Sequence, residues 1–261
     1  SWVNSGHQVT VFCGNDSRCL THERMDGVEI IRHGGFFMVY VWAVVYYLFK
    51  LRGRFDLVID SENGIPFFTP LFVGVPKILL IHHIHQDVFR RQLSFPLAQI
   101  ASFLESKVMP LVYFHQNIIT VSESSKKDIL RVCRARPESV SVVTPGIDPT
   151  QFIRLSPKTH HPSLLYLGRI RPYKNLDIAI KAMVDVVRTY PKASLNIAGG
   201  GEGVKQLRDL VEKLKLTRHV YFLGPVSEKE KIQLLSESWA MLQPSSFEGW
   251  GITVIEANAC G

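Results

Sequence analysis

Short apolar runs rich in β-branched residues alternate with longer amphipathic stretches along nearly the whole chain, and this alternation constrains the fold more than any other feature. Runs such as ILLI at 78–81 and LLYL at 164–167 are apolar on both faces, as the strands of a covered parallel sheet must be. The alternation predicts α/β units with right-handed crossovers. The predicted strands are residues 8–13, 28–32, 56–60, 77–82, 117–121, 140–143, 163–167, 193–198, 219–223 and 239–242.

The composition is that of a folded protein with an excess of basic residues. Of the 261 residues, 46% are hydrophobic and 20% are charged, so a sizeable core can form. The formal net charge of +7 suits an anionic ligand or an anionic membrane surface. Aromatic residues do not alternate with a basic stripe, so no nucleic-acid partner is expected. The four scattered cysteines match neither a disulfide scaffold nor a zinc motif, and no targeting segment is visible, which favours a reducing, cytoplasmic location.

A proline-rich stretch separates two series of predicted elements. Residues 144–162 hold four prolines and one glycine and have no apolar periodicity, so they are predicted to be a linker. We therefore expect two doubly wound domains, 1–155 and 156–261. The first predicted strand begins at residue 8 and the last predicted helix stops at Gly261, so we expect the chain to be incomplete at both ends. Ligands of open α/β sheets bind beyond the carboxyl ends of the strands, where functional residues are expected.

Two glutamates eight residues apart lie near the end of the sequence. Glu248 follows a predicted strand and a polar loop, and Glu256 lies in a helix that begins after Gly249 and Gly251. The exposed N–H groups at the start of that helix suit a phosphate. Because an ionised carboxylate only accepts hydrogen bonds, the flanking glutamates suit sugar hydroxyls. The alternative is a solvated loop glutamate and a second glutamate on a helix face.

A basic loop follows the first strand of the second domain. Gly168 lets the backbone approach a ligand closely, and Arg169 can contact two phosphate oxygens at once. Lys174 adds a second positive charge five residues later. Both cations would stabilise negative charge on a departing diphosphate. The alternative is a basic surface loop without a ligand.

Three histidines stand at the end of a predicted strand in the first domain. His82, His83 and His85 invite a metal interpretation, but no acidic residue completes an H-E-x-x-H spacing. No metal is therefore predicted. One histidine that orients or polarises a substrate is the favoured interpretation, and at least one of the three is expected to be buried and hydrogen-bonded. Asp60 and Glu62 form a weak D-x-D-like pair, interpreted as a helix cap or as hydrogen-bond acceptors.

The longest apolar run, residues 36–49, is shorter than the ~20 residues that a membrane span needs. A buried helix or strand is one interpretation. The other is an element in a membrane interface, because aromatic residues crowd the run and Lys50, Arg52 and Arg54 follow it.

Taken together, these segments resemble the family-4 retaining glycosyltransferases, which have two facing Rossmann-like domains in the GT-B arrangement. The sharpest part of the resemblance is the pair Glu248 and Glu256 placed after Gly168, Arg169 and Lys174. The resemblance covers nearly the whole chain and implies an α/β fold of two Rossmann-like doubly wound domains, incomplete at both termini. The segments that carry it are NSGHQVTVFC, IITVSESSKKDIL, VVTPGID, YLGRIRPYKN, LNIAGGGE, VYFLGPVSEKE and SSFEGWGITVIEANACG.

The resemblance also implies roles for individual positions. Arg169 and Lys174 would bind the diphosphate of a nucleotide-sugar donor. Glu248 would hold hydroxyls of the transferred sugar, and Glu256 would hold the ribose hydroxyls. His82 matches the active-site histidine of the family. The remaining donor contacts would come from Gly168, Val226, Gly249, Trp250, Gly251 and Ile252.

These roles predict a metal-independent, retaining transfer of a sugar from a nucleoside-diphosphate sugar, such as a UDP- or GDP-sugar, to a hydroxyl of a sugar or lipid-linked acceptor. No cofactor is expected, and the product would belong to a glycan, glycolipid or cell-surface polysaccharide. A peripheral position on the inner face of a membrane is compatible with this reaction. The alternatives are a two-Rossmann sugar-nucleotide epimerase or phosphorylase and a non-catalytic nucleotide-sugar-binding module.

Overall fold

The structure is a computed structural model that describes residues 2–16, 19–86, 88–89 and 93–261. The chain divides into two compact units, Ser1–Val143 and Thr144–Gly261. The predicted linker at 144–162 therefore lies within the second unit, including the residues up to 155 that were predicted to belong to the first domain. Phe152 shows why, because its side chain is buried against Leu165 and Leu235 in a core cluster of the second unit.

The described strands of the first unit form two hydrogen-bonded sheets. The first sheet has the order β1-β3-β2, and the second has the order β4-β5-β6-β7 with every pair parallel. Each predicted strand of this half is confirmed, with ends that differ by at most two residues. The strands are β1 (Thr10–Cys13), β2 (His22–Met25), β3 (Val28–Arg32), β4 (Val58–Glu62), β5 (Lys77–Ile81), β6 (Asn117–Thr120) and β7 (Val140–Val142).

Strand β2 is an addition to the predicted set, and it pairs antiparallel with β3. The turn between them consists of Asp26 and Gly27, which have φ angles of +49° and +82°. Two central residues with positive φ are typical of a tight hairpin turn, and Asp-Gly is among the strongest sequence signals for it. The strand was not predicted, because its four residues, HERM, are mostly polar and carry no apolar run.

Two α-helices of the first unit continue into wider, π-helical turns. The apolar run at 36–49 contributes a helix and such a turn, with Val39 and Tyr47 buried but Phe36 and Phe49 each 79% exposed. The interpretation of this run as a buried element is therefore only half correct. The helices are α1 (Val39–Tyr46) with its π turn Tyr47–Leu51, α2 (Leu97–Phe103) with its π turn Leu104–Val108, α3 (Met109–Val112) and α4 (Glu123–Cys133).

The second unit is a parallel sheet of order β10-β9-β8-β11 with helices between its strands. Leu165 and Tyr166 are both fully buried although they point to opposite faces of β8, as predicted for a strand covered on both sides. The elements are β8 (Ser163–Leu167), α5 (Leu176–Thr189), β9 (Ser194–Ala198), α6 (Val204–Lys213), β10 (Val220–Gly224), α7 (Glu228–Glu237), β11 (Ala240–Met241) and α8 (Ile252–Ala259).

Local sequence explains where two of these helices form. Helix α5 has an apolar stripe that faces the sheet, since Leu176, Ile180 and Met183 are buried in the core of this unit. A capping box opens α7, where the Ser227 hydroxyl accepts a hydrogen bond from the Glu230 N–H and the Glu230 carboxylate accepts one from the Ser227 N–H. These contacts satisfy backbone donors that would otherwise lack partners at the helix end.

The buried carboxylate of Asp60 ties β4 to later parts of the first unit. It accepts hydrogen bonds from the backbone N–H of Phe67, from the backbone and hydroxyl of Thr69, and from the hydroxyl of Tyr113. Asp60 is therefore a hydrogen-bond acceptor, which was one of the two interpretations of this residue. A buried carboxylate requires such partners because an unpaired buried charge is strongly unfavourable.

Two glycines allow the loops after β8 and β9 to pack backbone against backbone. Gly199 has a φ of +130°, and a Cβ at this position would lie 2.0 Å from the carbonyl oxygen of Gly168. A Cβ at Gly201 would lie 2.0 Å from the carbonyl oxygen of Ile170, whose N–H donates to the carbonyl of Gly200. The glycine run at 199–201 is therefore a close-approach site for the basic loop that begins at Gly168.

Replacing Gly199 with alanine is expected to destabilise the second unit. The added Cβ would meet a backbone oxygen that cannot move aside, and the positive φ of Gly199 is strained for any L side chain. We expect the free energy of unfolding, measured by chemical denaturation, to fall by about 2–4 kcal/mol. The matched control is Gly200→Ala, whose Cβ would lie 3.8 Å from its nearest neighbour, Pro225, and whose expected change is below about 1 kcal/mol. Equal losses in the two variants would contradict the close-approach explanation.

Candidate functional site

Two loops of the second unit meet beyond the carboxyl ends of neighbouring strands. β8 and β11 are parallel neighbours, so the loops that follow them leave the sheet at the same edge. The side-chain amide of Asn175 donates to the carbonyl of Pro244 at 2.9 Å and to the hydroxyl of Ser246 at 2.7 Å. The N–H of Ser246 in turn donates to the carbonyl of Tyr173 at 2.9 Å. These three hydrogen bonds hold the basic loop and the glutamate loop together.

This link brings the predicted residues Lys174 and Glu248 into direct contact. The ammonium of Lys174 lies 2.5 Å from Oε1 of Glu248, and the side-chain amide of Gln243 donates to the same oxygen at 2.5 Å. The two ionic side chains are 12% and 31% exposed, so the pair lies in a partly water-excluded place at the sheet edge. A cation beside an acceptor carboxylate can bind an anion and a hydroxyl next to each other.

Arg169 stands one residue after Gly168 and is exposed. Within the part of the chain that the structure describes, its guanidinium forms no ion pair. Its backbone is fixed, because the buried hydroxyl of Tyr166 donates to the Arg169 carbonyl at 2.9 Å. Burial raises the pKa of Tyr166, and the charge of Glu248 adds to this effect. The Tyr166 hydroxyl therefore keeps its proton and remains a donor.

Helix α8 begins at an uncapped glycine, as the phosphate interpretation requires. Gly251 has a φ of +76° and supplies no side chain to the N–H groups of the first turn. The N–H groups at a helix start have no intrahelical partner, and the helix dipole is positive there. The indole N–H of Trp250 donates to the carbonyl of Pro145 at 2.9 Å, which fixes the chain just before the turn. Gly249 and Ile252 flank these residues in the same turn.

Glu256 lies on α8 with its side chain almost buried. Its Oε1 is 3.0 Å from the ammonium of Lys231, which also pairs with Glu228 at 2.8 Å. Burial alone would lower the pKa of Lys231, but the two glutamates outweigh it and raise the pKa. Oε2 of Glu256 is buried and has no hydrogen-bond partner among the described residues. One acceptor of this carboxylate is therefore free for a ligand.

Four charged residues of the second unit form two separate ion pairs. Lys174 contacts Glu248, and Lys231 contacts Glu256, whereas no hydrogen bond or ion pair between described residues joins one pair to the other. Val226 is partly buried and directly precedes the first capping residue of α7. Lys231 was not predicted, because a lysine in the first turn of a helix is an ordinary surface residue unless its partner is known.

The three histidines of the first unit differ sharply in environment. His82 is exposed, and its carbonyl accepts a hydrogen bond from the Ser125 hydroxyl at 2.8 Å. The ring of His83 lies 4.1 Å from that of His85, centroid to centroid. His85 is buried beside Glu62 and Glu105, which confirms the expected burial of one histidine, but its Nδ1 forms no hydrogen bond of normal geometry with a described residue. The role of His82 stays a prediction.

Two glutamates, Glu62 and Glu105, lie beside His85, and Glu105 was not predicted as a site residue from the sequence. It lies in the π turn after α2, and its side chain is fully buried. Ala101 and Met109, four residues to either side, are buried as well. A spacing of four residues places side chains on the same helix face. The sequence pattern that could have indicated a buried Glu105 is therefore its position midway between two apolar residues of that face.

Two family models match consecutive parts of the sequence. The model for Glycosyltransferase Family 4 matches residues 1–151, and the model for Glycosyl transferases group 1 matches residues 148–261. The division between the two matches falls close to the division between the two compact units. The first match alone covers more than half of the chain.

Curated relatives agree with these family matches. Glycogen synthase of Mycobacterium tuberculosis is 30% identical over 192 residues, which cover 73% of this chain and 46% of that protein. The O-antigen chain mannosyltransferase RfbU of Salmonella typhimurium is 27% identical over 224 residues, which cover 84% of this chain and 59% of that protein. D-inositol 3-phosphate glycosyltransferase of Mycobacterium marinum is 27% identical over 158 residues, which cover 55% of this chain and 33% of that protein. The matched part of the chain thus spans less than two thirds of the length of each of these relatives.

Solved structures share the fold. Sucrose-phosphate synthase from Thermosynechococcus elongatus superposes with a TM-score of 0.77 at 17% identity, covering 100% of this chain and 71% of that chain. WaaG, a glycosyltransferase involved in lipopolysaccharide biosynthesis, superposes with a TM-score of 0.74 at 17% identity, covering 99% of this chain and 72% of that chain. Together with the parallel sheets of both units, these likenesses confirm the predicted GT-B fold class. The family-4 match over residues 1–151 shows that the chain belongs to glycosyltransferase family 4.

Proposed function

We propose that the protein transfers a sugar from a nucleoside-diphosphate sugar to an acceptor hydroxyl, with retention of the anomeric configuration. The observation that carries the proposal is the link through Asn175, which holds Lys174 against Glu248 at the sheet edge. Membership of family 4 supports the reaction class. Crystal structures of Anabaena HepE, which shares 18% identity, contain UDP, UDP with glucose, or UDP-glucose, and suggest the kind of donor to test.

In this proposal the donor diphosphate lies between the basic loop and the start of α8. Arg169 and Lys174 offset its charge, and the uncapped N–H groups after Gly251 add fixed donors. As negative charge grows on the departing diphosphate, these groups stabilise it more strongly than they stabilise the bound donor, which is the condition for catalysis. Backbone groups at Gly168, Gly249 and 250–252 complete the contacts.

The glutamates bind hydroxyl groups in the proposed complex. Glu248 has its Oε1 shared by Lys174 and Gln243, so it is held in place to accept from a hydroxyl of the transferred sugar. Glu256 has one oxygen fixed by Lys231 and the other free, which suits a ribose hydroxyl. Lys231 is therefore a positioning residue in this scheme. Val226 flanks the base.

One residue of the first unit, His82, also has a role in the proposal. His82 would hydrogen-bond the transferred sugar near its reacting carbon, and its exposure leaves the ring accessible. The acceptor would be a sugar or a lipid-linked hydroxyl compound. Neither a cofactor nor a catalytic metal has a role in this scheme.

Lys174→Ala and Glu256→Ala are each expected to lower turnover by more than about tenfold in the full-length protein, because each removes a charged contact to the donor. A thermal-shift panel of nucleotide sugars identifies the donor first, and release of nucleoside diphosphate then measures turnover. The matched control is Lys181→Ala, since Lys181 is also a lysine in an ion pair, here with Asp177 on the exposed face of α5. Wild-type turnover in both site variants would refute the assignment.

The same assay separates the alternative functions. An epimerase would interconvert free nucleotide sugars without an acceptor, and a phosphorylase would require free phosphate. A binding module would bind the donor without releasing nucleoside diphosphate in the presence of any acceptor. For the proposed transferase, NMR of the product should show the same anomeric configuration as the donor, and an inverted product would exclude the retaining mechanism.

We further propose that residues 36–49 bind an anionic membrane surface. No helix among the described residues is long and apolar enough to cross a bilayer. Phe36, Phe37, Trp42 and Phe49 are exposed on α1 and its flanking turns, where large apolar side chains would otherwise contact water. Lys50 and Arg52 follow directly and are exposed, so apolar contact and charge would act on the same lipid surface.

Wild-type protein is expected to co-sediment with phosphatidylglycerol vesicles and much less with neutral phosphatidylcholine vesicles. The double variant Trp42→Ser, Phe49→Ser should weaken this binding by at least about tenfold, because two aromatic side chains would no longer enter the interface. The control is Leu71→Ser, since Leu71 is 72% exposed but lies outside the run. Equal binding of the double variant and the wild type would contradict the proposal.

A further inference from the structure

Three titratable side chains converge in the interior of the first unit. Glu62 is the last residue of β4, His85 lies four residues after the end of β5, and Glu105 belongs to the π turn after α2. β4 and β5 are parallel neighbours, so both end at the same edge of the sheet. The side chains of Glu62 and Glu105 are fully buried, and that of His85 is 8% exposed.

The separations within this cluster match those between ligands of one metal ion. Nδ1 of His85 lies 3.2 Å from Oε1 of Glu62 and 3.5 Å from Oε1 of Glu105. Two ligands of a tetrahedral zinc ion with bonds of ~2.0–2.1 Å stand about 3.3 Å apart. Each of the three residues offers a ligand atom, and these atoms all lie within 4.8 Å of one another.

Two buried polar atoms of the cluster lack hydrogen-bond partners. They are Oε2 of Glu62 and Nδ1 of His85, and no hydrogen bond of normal geometry joins either to a described atom. Nδ1 is also the atom that lies close to both carboxylates. Other contacts fix the glutamates from outside: the N–H of Gly64 donates to Glu62 at 2.8 Å, and the N–H of His85 and the amide of Gln86 donate to Glu105 at 2.6 Å each. Such outer hydrogen bonds orient the ligands of metal sites.

Either protons or a metal cation must balance the charge of the two buried carboxyl groups, and burial raises the pKa of Glu62. Two ionised glutamates carry two negative charges, and within the described ranges no lysine or arginine pairs with Glu62 or Glu105. A divalent cation with a neutral imidazole would bring the sum to zero. Because burying an unbalanced charge is strongly unfavourable, a cation would stabilise the surrounding fold.

We propose that Glu62, His85 and Glu105 bind one divalent transition-metal ion, of which zinc is the best fit to one imidazole and two carboxylates. A water molecule or the second oxygen of Glu62 would complete the coordination. The ion would join the end of β4, the segment after β5 and the turn after α2, and so would fix the backbone next to His82. This structural site is independent of the proposed transfer reaction and adds no metal to it.

A proton is the competing occupant of the same cluster. Burial lowers the pKa of His85, but without a metal Glu105 and Glu62 outweigh it and raise the pKa to about 9. A shared proton would then hold the three side chains together without any affinity for zinc. Direct metal binding therefore separates the two explanations.

The test uses tag-free full-length protein that has been treated with a chelator, dialysed and titrated with Zn²⁺ by calorimetry. We expect one zinc ion per chain, and we expect Co²⁺ to give the visible absorption of a four-coordinate site. Glu62→Gln, which keeps the side-chain shape, should weaken zinc binding by at least about 100-fold, since loss of a direct ligand costs no less than loss of an outer contact. His115→Gln removes an exposed histidine elsewhere in the first unit and should bind as the wild type does.

A second measurement, the melting temperature, distinguishes loss of zinc binding from loss of folding. Zn²⁺ should raise the melting temperature of the wild type and of His115→Gln but leave that of Glu62→Gln and Glu105→Gln unchanged. Absence of one-to-one zinc binding in the wild type, or equal binding by Glu62→Gln, would overturn the proposal and leave the proton as the occupant. Neither readout involves sugar transfer, so this result stands apart from any failure of the proposed function.

Discussion

Asn175 links the two loops that form the candidate donor site, and the arrangement of that site depends on this link. β11 has only two residues, and most of the loop after it has no regular secondary structure, so the strand alone does little to fix the course of that loop. The amide of Asn175 and the N–H of Ser246 supply the missing constraint by bonding one loop to the other. The two loops therefore hold the backbones of Lys174 and Glu248 close enough for their side chains to form an ion pair. Because the side chains are already placed, fewer rotamers have to be ordered when a ligand binds.

The acidic side chains of the two candidate sites have different partners, and both proposals depend on that difference. In the second unit Glu248 and Glu256 each face a lysine, so a ligand with a diphosphate and hydroxyls can take over part of each pair. In the first unit Glu62 and Glu105 face an imidazole and backbone N–H groups but no described lysine or arginine. The first arrangement suits an exchangeable anionic ligand, whereas the second suits a resident cation.

Most strands and the core-facing stripe of α5 could be predicted from the sequence, because parallel strands covered on both faces and amphipathic helices leave strong apolar patterns. The candidate positions Lys174 and Glu248 were also found, since glycines and charged residues at strand ends are visible in the sequence. Lys231 and Glu105 were not found, because what sets each apart is a contact to a residue far away in sequence. The exposure of Phe36 and Phe49 was equally hidden, because hydrophobicity does not tell which face of a helix another element covers.

A crystal structure of the full-length protein with a bound nucleoside diphosphate tests the central claim most directly. We expect the diphosphate to contact the ammonium of Lys174 and the N–H groups of the first turn of α8, and the ribose hydroxyls to contact Oε2 of Glu256. A nucleotide bound elsewhere, with Lys174 still paired to Glu248 and Glu256 without a ligand contact, would contradict the account.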